Sequence, residues 1–285
     1  MTEPSVPELI LWAGSVKGLT LTERIQAARA GRFTAVSLFP FDVTAAEDDA
    51  AGVRELHELH AMRIAVVDPL TTWLPGSRVP DGLPIDDPAH GGIDPEGMFE
   101  LAVALGAELI SALALYDELV EPATGAHAFS MLCDRAAERE LRIGLEFIPG
   151  TGIPDLGLAW EIVRRADREN GGLVIDAWHL FRSGAGADLL RDVPAERIFA
   201  LQLADAPLAA PADLAHESLH ARLLPGDGEL DLCGFVGAAL AGGTPPLIGP
   251  EVFSDRSGSI PPERLGRVLG ERTRELLTAV GVPCT

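Results

Sequence analysis

A chain of 285 residues with 47% hydrophobic side chains can bury one large core and lacks the charge-rich, apolar-poor composition of a disordered protein. Its 43 acidic against 22 basic residues give a formal net charge of −21, which with no local basic cluster excludes phosphate backbones and anionic membrane surfaces as partners. Cys133, Cys233 and Cys284 form no C-x-x-C pair and are expected to be packing residues; the N-terminus MTEPSVPELILWAG lacks a basic leader and no apolar run reaches about 18 residues, so a soluble, cytoplasmic protein is expected.

Along the chain, short apolar runs typical of buried parallel strands alternate with amphipathic stretches of helical period. The first strand is predicted at Glu8–Ala13 (ELILWA) with a helix at Leu21–Ala30, and the second at Thr34–Phe39 (TAVSLF) with a helix at Ala45–Met62. The third, Arg63–Val67 (RIAVV), runs into a Pro-, Gly- and Asp-rich connection over 68–93 that carries Trp73, before a helix at Asp94–Leu105. Glu108–Leu115 with Gly125–Glu140 and Arg142–Phe147 with Leu156–Glu169 form the fourth and fifth units. Gly172–Ala177 precedes a short helical stretch at Ala187–Leu190, and Ile198–Leu203 precedes a second long connection over 204–244. The last strand is Pro246–Phe253; its helix, Pro261–Val280, places prolines in the first turn, where a missing N–H costs little, and Leu265, Val268, Leu269, Leu276 and Leu277 on one face.

Eight strand-helix units predict an α/β fold, a single (β/α)8 TIM-barrel domain over 1–285, rather than an open doubly wound sheet. The dinucleotide-binding version of that alternative also lacks its G-x-G-x-x-G fingerprint after the first strand. Both long connections, 68–93 and 204–244, follow strands, so they are expected at the C-terminal face of the strands, where such barrels build active sites, as walls of the substrate pocket.

The second connection contains His216-Glu217-Ser218-Leu219-His220, an H-E-x-x-H, which on a helix puts two imidazoles one turn apart beside a Glu that can deprotonate a metal-bound water. A zinc protease needs that motif in a long helix with a third ligand beyond it. Here only 210–224 can be helical before Pro225-Gly226, so His216 and His220 are expected to be exposed. Four consecutive strands, by contrast, end in oxygen donors: Glu146, Asp176, Gln202 and Glu251. Converging at one mouth, such donors suit a hard divalent cation, Mg²⁺ or Mn²⁺.

The pattern Glu146 in GLEF, Asp176-Ala-Trp-His179, Gln202-Leu-Ala-Asp205, Arg222-Leu-Leu-Pro225-Gly226-Asp227-Gly228 and Glu251 resembles the sugar phosphate isomerase/epimerase family of xylose isomerase-like TIM barrels. The resemblance implies a divalent metal, Mn²⁺ or Mg²⁺ with Co²⁺ or Zn²⁺ as substitutes, held by Glu146, Asp176, Gln202 and Glu251. It implies a hydroxy-ketone substrate (a sugar, sugar phosphate or cyclic polyol ketone) and proton removal beside a metal-polarised carbonyl through an enediolate. Glu146 and Glu251 would serve as acid and base on opposite faces, His179 as a base or a contact to a substrate oxygen, and Arg222 and Trp73 as substrate contacts. Gln202, whose amide oxygen is a harder ligand than imidazole, stands where many family members carry His; this resembles the dehydroshikimate-dehydratase branch and keeps a metal-dependent dehydratase or lyase (dehydroshikimate- or inosose-dehydratase-like β-elimination) as the alternative. A histidine-rich nuclease of the same barrel is opposed by the charge, and a non-catalytic barrel subunit by the intact donors. The expected partner is a small-molecule hydroxy-ketone, with a homodimer as the form of self-association considered.

Overall fold

The computed structural model describes residues 6–44, 46, 49–76, 93–116, 118–243 and 246–282. The strands are β1 (Ile10–Leu11), β2 (Ala35–Leu38), β3 (Arg63–Leu70), β4 (Leu109–Ala112), β5 (Arg142–Leu145), β6 (Gly171–Asp176), β7 (Ile198–Leu203) and β8 (Leu247–Pro250), and their order is the chain order. The helices are α1 (Leu21–Ala30), α2 (Pro40–Thr44), α3 (Ala50–Leu59), α4 (Pro95–Leu105), α5 (Pro122–Ala137), α6 (Leu156–Ala166), α7 (Ala177–Arg182), α8 (Leu214–His220), α9 (Leu232–Leu240) and α10 (Pro262–Ala279). Two compact units divide the chain: a terminal unit, Met1–Val36 with Ile175–Thr285, and a central unit, Ser37–Val174.

In the terminal unit β7 pairs with β8 in parallel, Gln202 opposite Gly249 and Leu203 opposite Pro250. β8 lies beside the first strand through the Leu9–Ile248 bridge, and β1 pairs in parallel with the start of β2, Ile10 opposite Ala35. The last strand beside the first is what a (β/α)8 barrel requires and an open doubly wound sheet does not provide. The approach is close: a Cβ on Gly249 would run into the Ile10 carbonyl. Every residue of β7 (IFALQL) is buried, as in a strand covered on both faces, and Gln202 is its one polar member. On α10, Leu265, Leu269 and Leu277 are buried, and α10 packs against α1, which starts at a reciprocal Thr20–Glu23 capping box.

In the central unit β3, β4 and β5 pair in sequence and β5 pairs with the first residues of β6, Ile143 opposite Gly171 through Leu145 opposite Leu173, all parallel. Phe129 and Cys133 of α5 and Phe99 of α4 are fully buried, the packing expected of Cys133. Cys233 on α9 is exposed, which corrects the packing expectation for it; Cys284 lies outside the described residues.

The sequence boundaries shift for local reasons. The helix expected from Ala45 starts at Ala50, because the Asp49 side chain accepts the Gly52 N–H and caps it there. β3 runs on to Leu70, and Ala177 opens α7 instead of closing β6. Ala187–Asp192 is a 3-10 turn, and the segment 204–244 holds two helices, α8 and α9. Of the connection 68–93, residues 77–92 lie outside the described residues. Among the described residues no helix is long and apolar enough to cross a membrane.

Candidate active site at the strand ends

Asp176 ends β6 and caps α7, the turn that A-W-H continues: its Oδ1 accepts the backbone N–H of His179 at 3.1 Å. Its Oδ2 accepts from Arg222 Nη1 at 2.6 Å. Burial alone would push this carboxyl up, but the Arg222 guanidinium, His179 and the two hydrogen bonds outweigh it and hold the carboxyl below its usual range. Asp176 is therefore a buried anion.

Arg222 is itself buried and heavily committed. Nη1 also reaches the Glu251 carbonyl at 3.2 Å, Nε donates to the Ser218 carbonyl at 2.8 Å, and the guanidinium lies 5.2 Å from the Trp178 ring and 5.0 Å from the Phe253 ring. Only Nη2, 3.4 Å from Ser218 Oγ, is loosely held, so the fork mainly fixes Asp176. His179, buried in α7, stands edge-on to Trp178 at 5.4 Å.

Gln202 on β7 is fully buried, and among the described residues neither its Oε1 nor its Nε2 has a hydrogen-bond partner. Leaving such an amide unsatisfied costs roughly 1–3 kcal/mol, which calls for a partner beyond those the described residues supply. Its opposite number is Gly249, so Glu251, two residues on, projects to the same face. The neutral amide oxygen of Gln202 and the buried carboxylates of Asp176 and Glu251 are oxygen donors of the kinds that a divalent cation takes as ligands.

The sequence reading missed what holds Glu251. Ser15, just past β1, donates its hydroxyl to the Pro250 carbonyl at 2.9 Å and accepts the Val252 N–H at 2.8 Å, clasping the chain on both sides of Glu251. Gly14 is small because a Cβ there would run into the Phe253 ring at 2.5 Å, with Glu251 Cγ next at 3.0 Å. The run Ala13-Gly14-Ser15 immediately after the first strand was the available signal.

In the central unit Glu146 follows β5, is buried, and accepts the Ser111 hydroxyl on Oε2 at 2.9 Å. Ser111, the lone hydroxyl of β4, also escaped the sequence reading. Trp73 is buried; its indole N–H donates to the Leu113 carbonyl at 2.7 Å and its ring meets Phe129 edge-on at 5.8 Å. It anchors the start of its loop.

The H-E-x-x-H splits on α8. His216 and His220 are exposed, as expected, with rings stacked at 5.3 Å, and His220 Nδ1 lies 3.0 Å from Asp255 Oδ1. Glu217 turns inward, accepting from Trp178 Nε1 at 2.8 Å and from Arg182 Nε and Nη2 at 2.6 and 3.0 Å. Asp205 shapes the rest of the loop, accepting N–H groups from Ala206, Gly226 and Leu230. Gly226 has φ +87°, so Pro225-Gly226-Asp227-Gly228 is a turn, with the Leu223 N–H on the Asp205 carbonyl holding the segment just after Arg222.

Comparison with known proteins agrees with this architecture. Over 268 residues the chain is 33% identical to a 3-dehydroshikimate dehydratase of Pseudomonas aeruginosa, covering 90% of this chain and 41% of that protein, so it spans less than half of that relative's length. It is 28% identical over 177 residues to an inosose isomerase of Bacillus subtilis, covering 59% of this chain and 63% of that one. A solved structure described as the IOLI protein with a binding zinc atom superposes with a TM-score of 0.81 at 19% identity, over 96% of this chain and 99% of that chain, a likeness of fold. Residues 25–274 match the family described as xylose isomerase-like TIM barrel. The relatives are enzymes of sugar-like small molecules, and the chain, with its eight strands in chain order, belongs to the xylose isomerase-like TIM barrel family.

Proposed function

We propose that this chain is a divalent-metal-dependent isomerase or epimerase of a sugar, sugar phosphate or cyclic polyol ketone, acting by proton transfer beside the carbonyl. The observation that carries the reading is the Gln202 amide, fully buried with neither polar atom hydrogen-bonded among the described residues, on a strand face it shares with Glu251. In the proposal Glu146, Asp176, Gln202 and Glu251 hold the metal, Mn²⁺ or Mg²⁺, in one barrel domain walled by the loops after β3 and β7. Once bound, that cation supplies Lewis-acid polarisation of the carbonyl.

The chain's own residues do the rest. Arg222 keeps Asp176 anionic and fixed. Ser15 fixes the backbone from which Glu251 projects, and Ser111 orients Glu146 by donating its hydroxyl to Oε2. Glu146 and Glu251 take and return the proton on opposite faces of the substrate, a carboxylate being able to move a proton from carbon when burial excludes water. His179 donates to a substrate oxygen, Arg222 offers its Nη2 edge, and Trp73 holds the pocket wall in place.

A second reading, metal-dependent dehydration by β-elimination, shares the first proton removal and then expels a hydroxyl. The 33% identity to a 3-dehydroshikimate dehydratase favours it. Incubating the Mn²⁺-loaded protein with ketoses, inososes and 3-dehydroshikimate in deuterated water tests both. Isomerisation returns ketone deuterated at the carbon beside the carbonyl, elimination gives the unsaturated product, and both cease in Glu251→Gln; no exchange and no product across the panel refutes the proposal.

A further inference from the structure

We infer that Trp12 is a substrate-binding residue whose indole N–H donates to an oxygen of the bound ketone; the inference rests on the functional reading above. Trp12 directly follows β1 and is fully buried, yet among the described residues its Nε1 has no hydrogen-bond partner. That is unusual for this chain. The indole N–H groups of the other two buried tryptophans are paired, Trp73 with the Leu113 carbonyl and Trp178 with Glu217.

The backbone says where Trp12 stands. The Ile248 N–H donates to the Glu8 carbonyl and the Trp12 N–H to the Pro250 carbonyl, two bonds of one parallel ladder. That ladder sets Leu9 opposite Ile248 and, in unbroken register, Trp12 opposite Glu251. Partners in a parallel pair project to the same face, and Gln202, opposite Gly249, lies on that face too. So Trp12, Gln202 and Glu251 share one face, and the two groups there with unmet hydrogen-bonding capacity are complementary in kind. The Gln202 oxygen can ligate a cation, whereas an indole N–H is a donor only and cannot. What completes Trp12 is an acceptor, and a hydroxyl- and carbonyl-rich ligand beside Glu251 supplies it. Ser15, which clasps the chain on both sides of Glu251, lies three residues after Trp12, so the same short segment sets both positions.

The test uses the full chain labelled with ¹⁵N-tryptophan and loaded with Mg²⁺. Its four tryptophans give separate indole N–H resonances, with Trp12 assigned by Trp12→Phe. A ketone shown by calorimetry to bind should shift the Trp12 signal further than those of Trp73 and Trp178, whose indole N–H groups are already paired. Trp12→Phe should weaken that ketone roughly 10-fold without changing Mg²⁺ affinity. Binding with an unmoved Trp12 resonance overturns the inference even if Trp12→Phe fails to fold, since that reading comes from the unmutated protein through the remaining assignments. Mg²⁺ binding without any ketone from the panel binding overturns the functional reading and this inference with it.

Discussion

Replacing Glu217 with leucine should strand a buried charge. The side chains of Arg182 and Glu217 are only 3% and 7% exposed, and Glu217 takes two guanidinium donors and the Trp178 indole N–H. Removing one partner of a buried pair costs about 3–5 kcal/mol. Arg182 keeps backbone acceptors at Pro207 (2.7 Å) and Leu208 (3.4 Å), which places the loss near the low end, ~3 kcal/mol. For a chain of this size that lowers Tm by roughly 6–12 °C. Calorimetry or circular dichroism would measure it, together with Arg182→Met and the double variant. The double variant should regain at least half of the loss, because it removes the uncompensated charge as well. A single variant within about 1 kcal/mol of the parent, or a double variant no better than Glu217→Leu, would refute the claim that this Glu is a buried anchor of the loop rather than half of a protease motif.

Gln202→Leu keeps the volume and removes the unsatisfied amide, so the metal-free protein should be unchanged or up to about 1 kcal/mol more stable, while Mn²⁺ affinity measured by calorimetry falls at least roughly 10-fold. Arg222→Met leaves Asp176 buried without its guanidinium and should lower stability by about 3 kcal/mol in denaturant melts. Glu121 caps α5, and hydrogen bonds from the Ala123 and Thr124 N–H groups and the Thr124 hydroxyl hold its carboxyl below its ordinary value of 4.5. Its contribution is therefore present above that ordinary value and lost as pH falls through the lower folded value; the stability-versus-pH slope in acid should flatten in Glu121→Gln.

The barrel was legible because its strands are continuous apolar runs and its helices carry a 3.6-residue stripe. α9 was not, because LCGFVGAAL is apolar on every side and shows no stripe to find. β4 was drawn too long since LISALAL stays apolar after its ladder ends at Ala112. At the candidate site the strand-end oxygens could be read from the chain, since a carboxylate or amide ending a buried strand stands out. Ser15, Ser111 and Trp12 could not: each matters through a partner far off in sequence, or through the lack of one, and neither is written in local pattern. The H-E-x-x-H misleads for the opposite reason, a strong local spelling whose Glu folds away from its histidines.

Titration of the metal-free protein with Mn²⁺, followed by electron paramagnetic resonance, tests the central claim most directly. The account predicts a single tight equivalent that is lost or sharply weakened in Glu146→Gln, Asp176→Asn and Glu251→Gln and that survives His216→Ala and His220→Ala. A protein that binds no tight Mn²⁺, or whose tight site survives all three carboxylate changes, would contradict it.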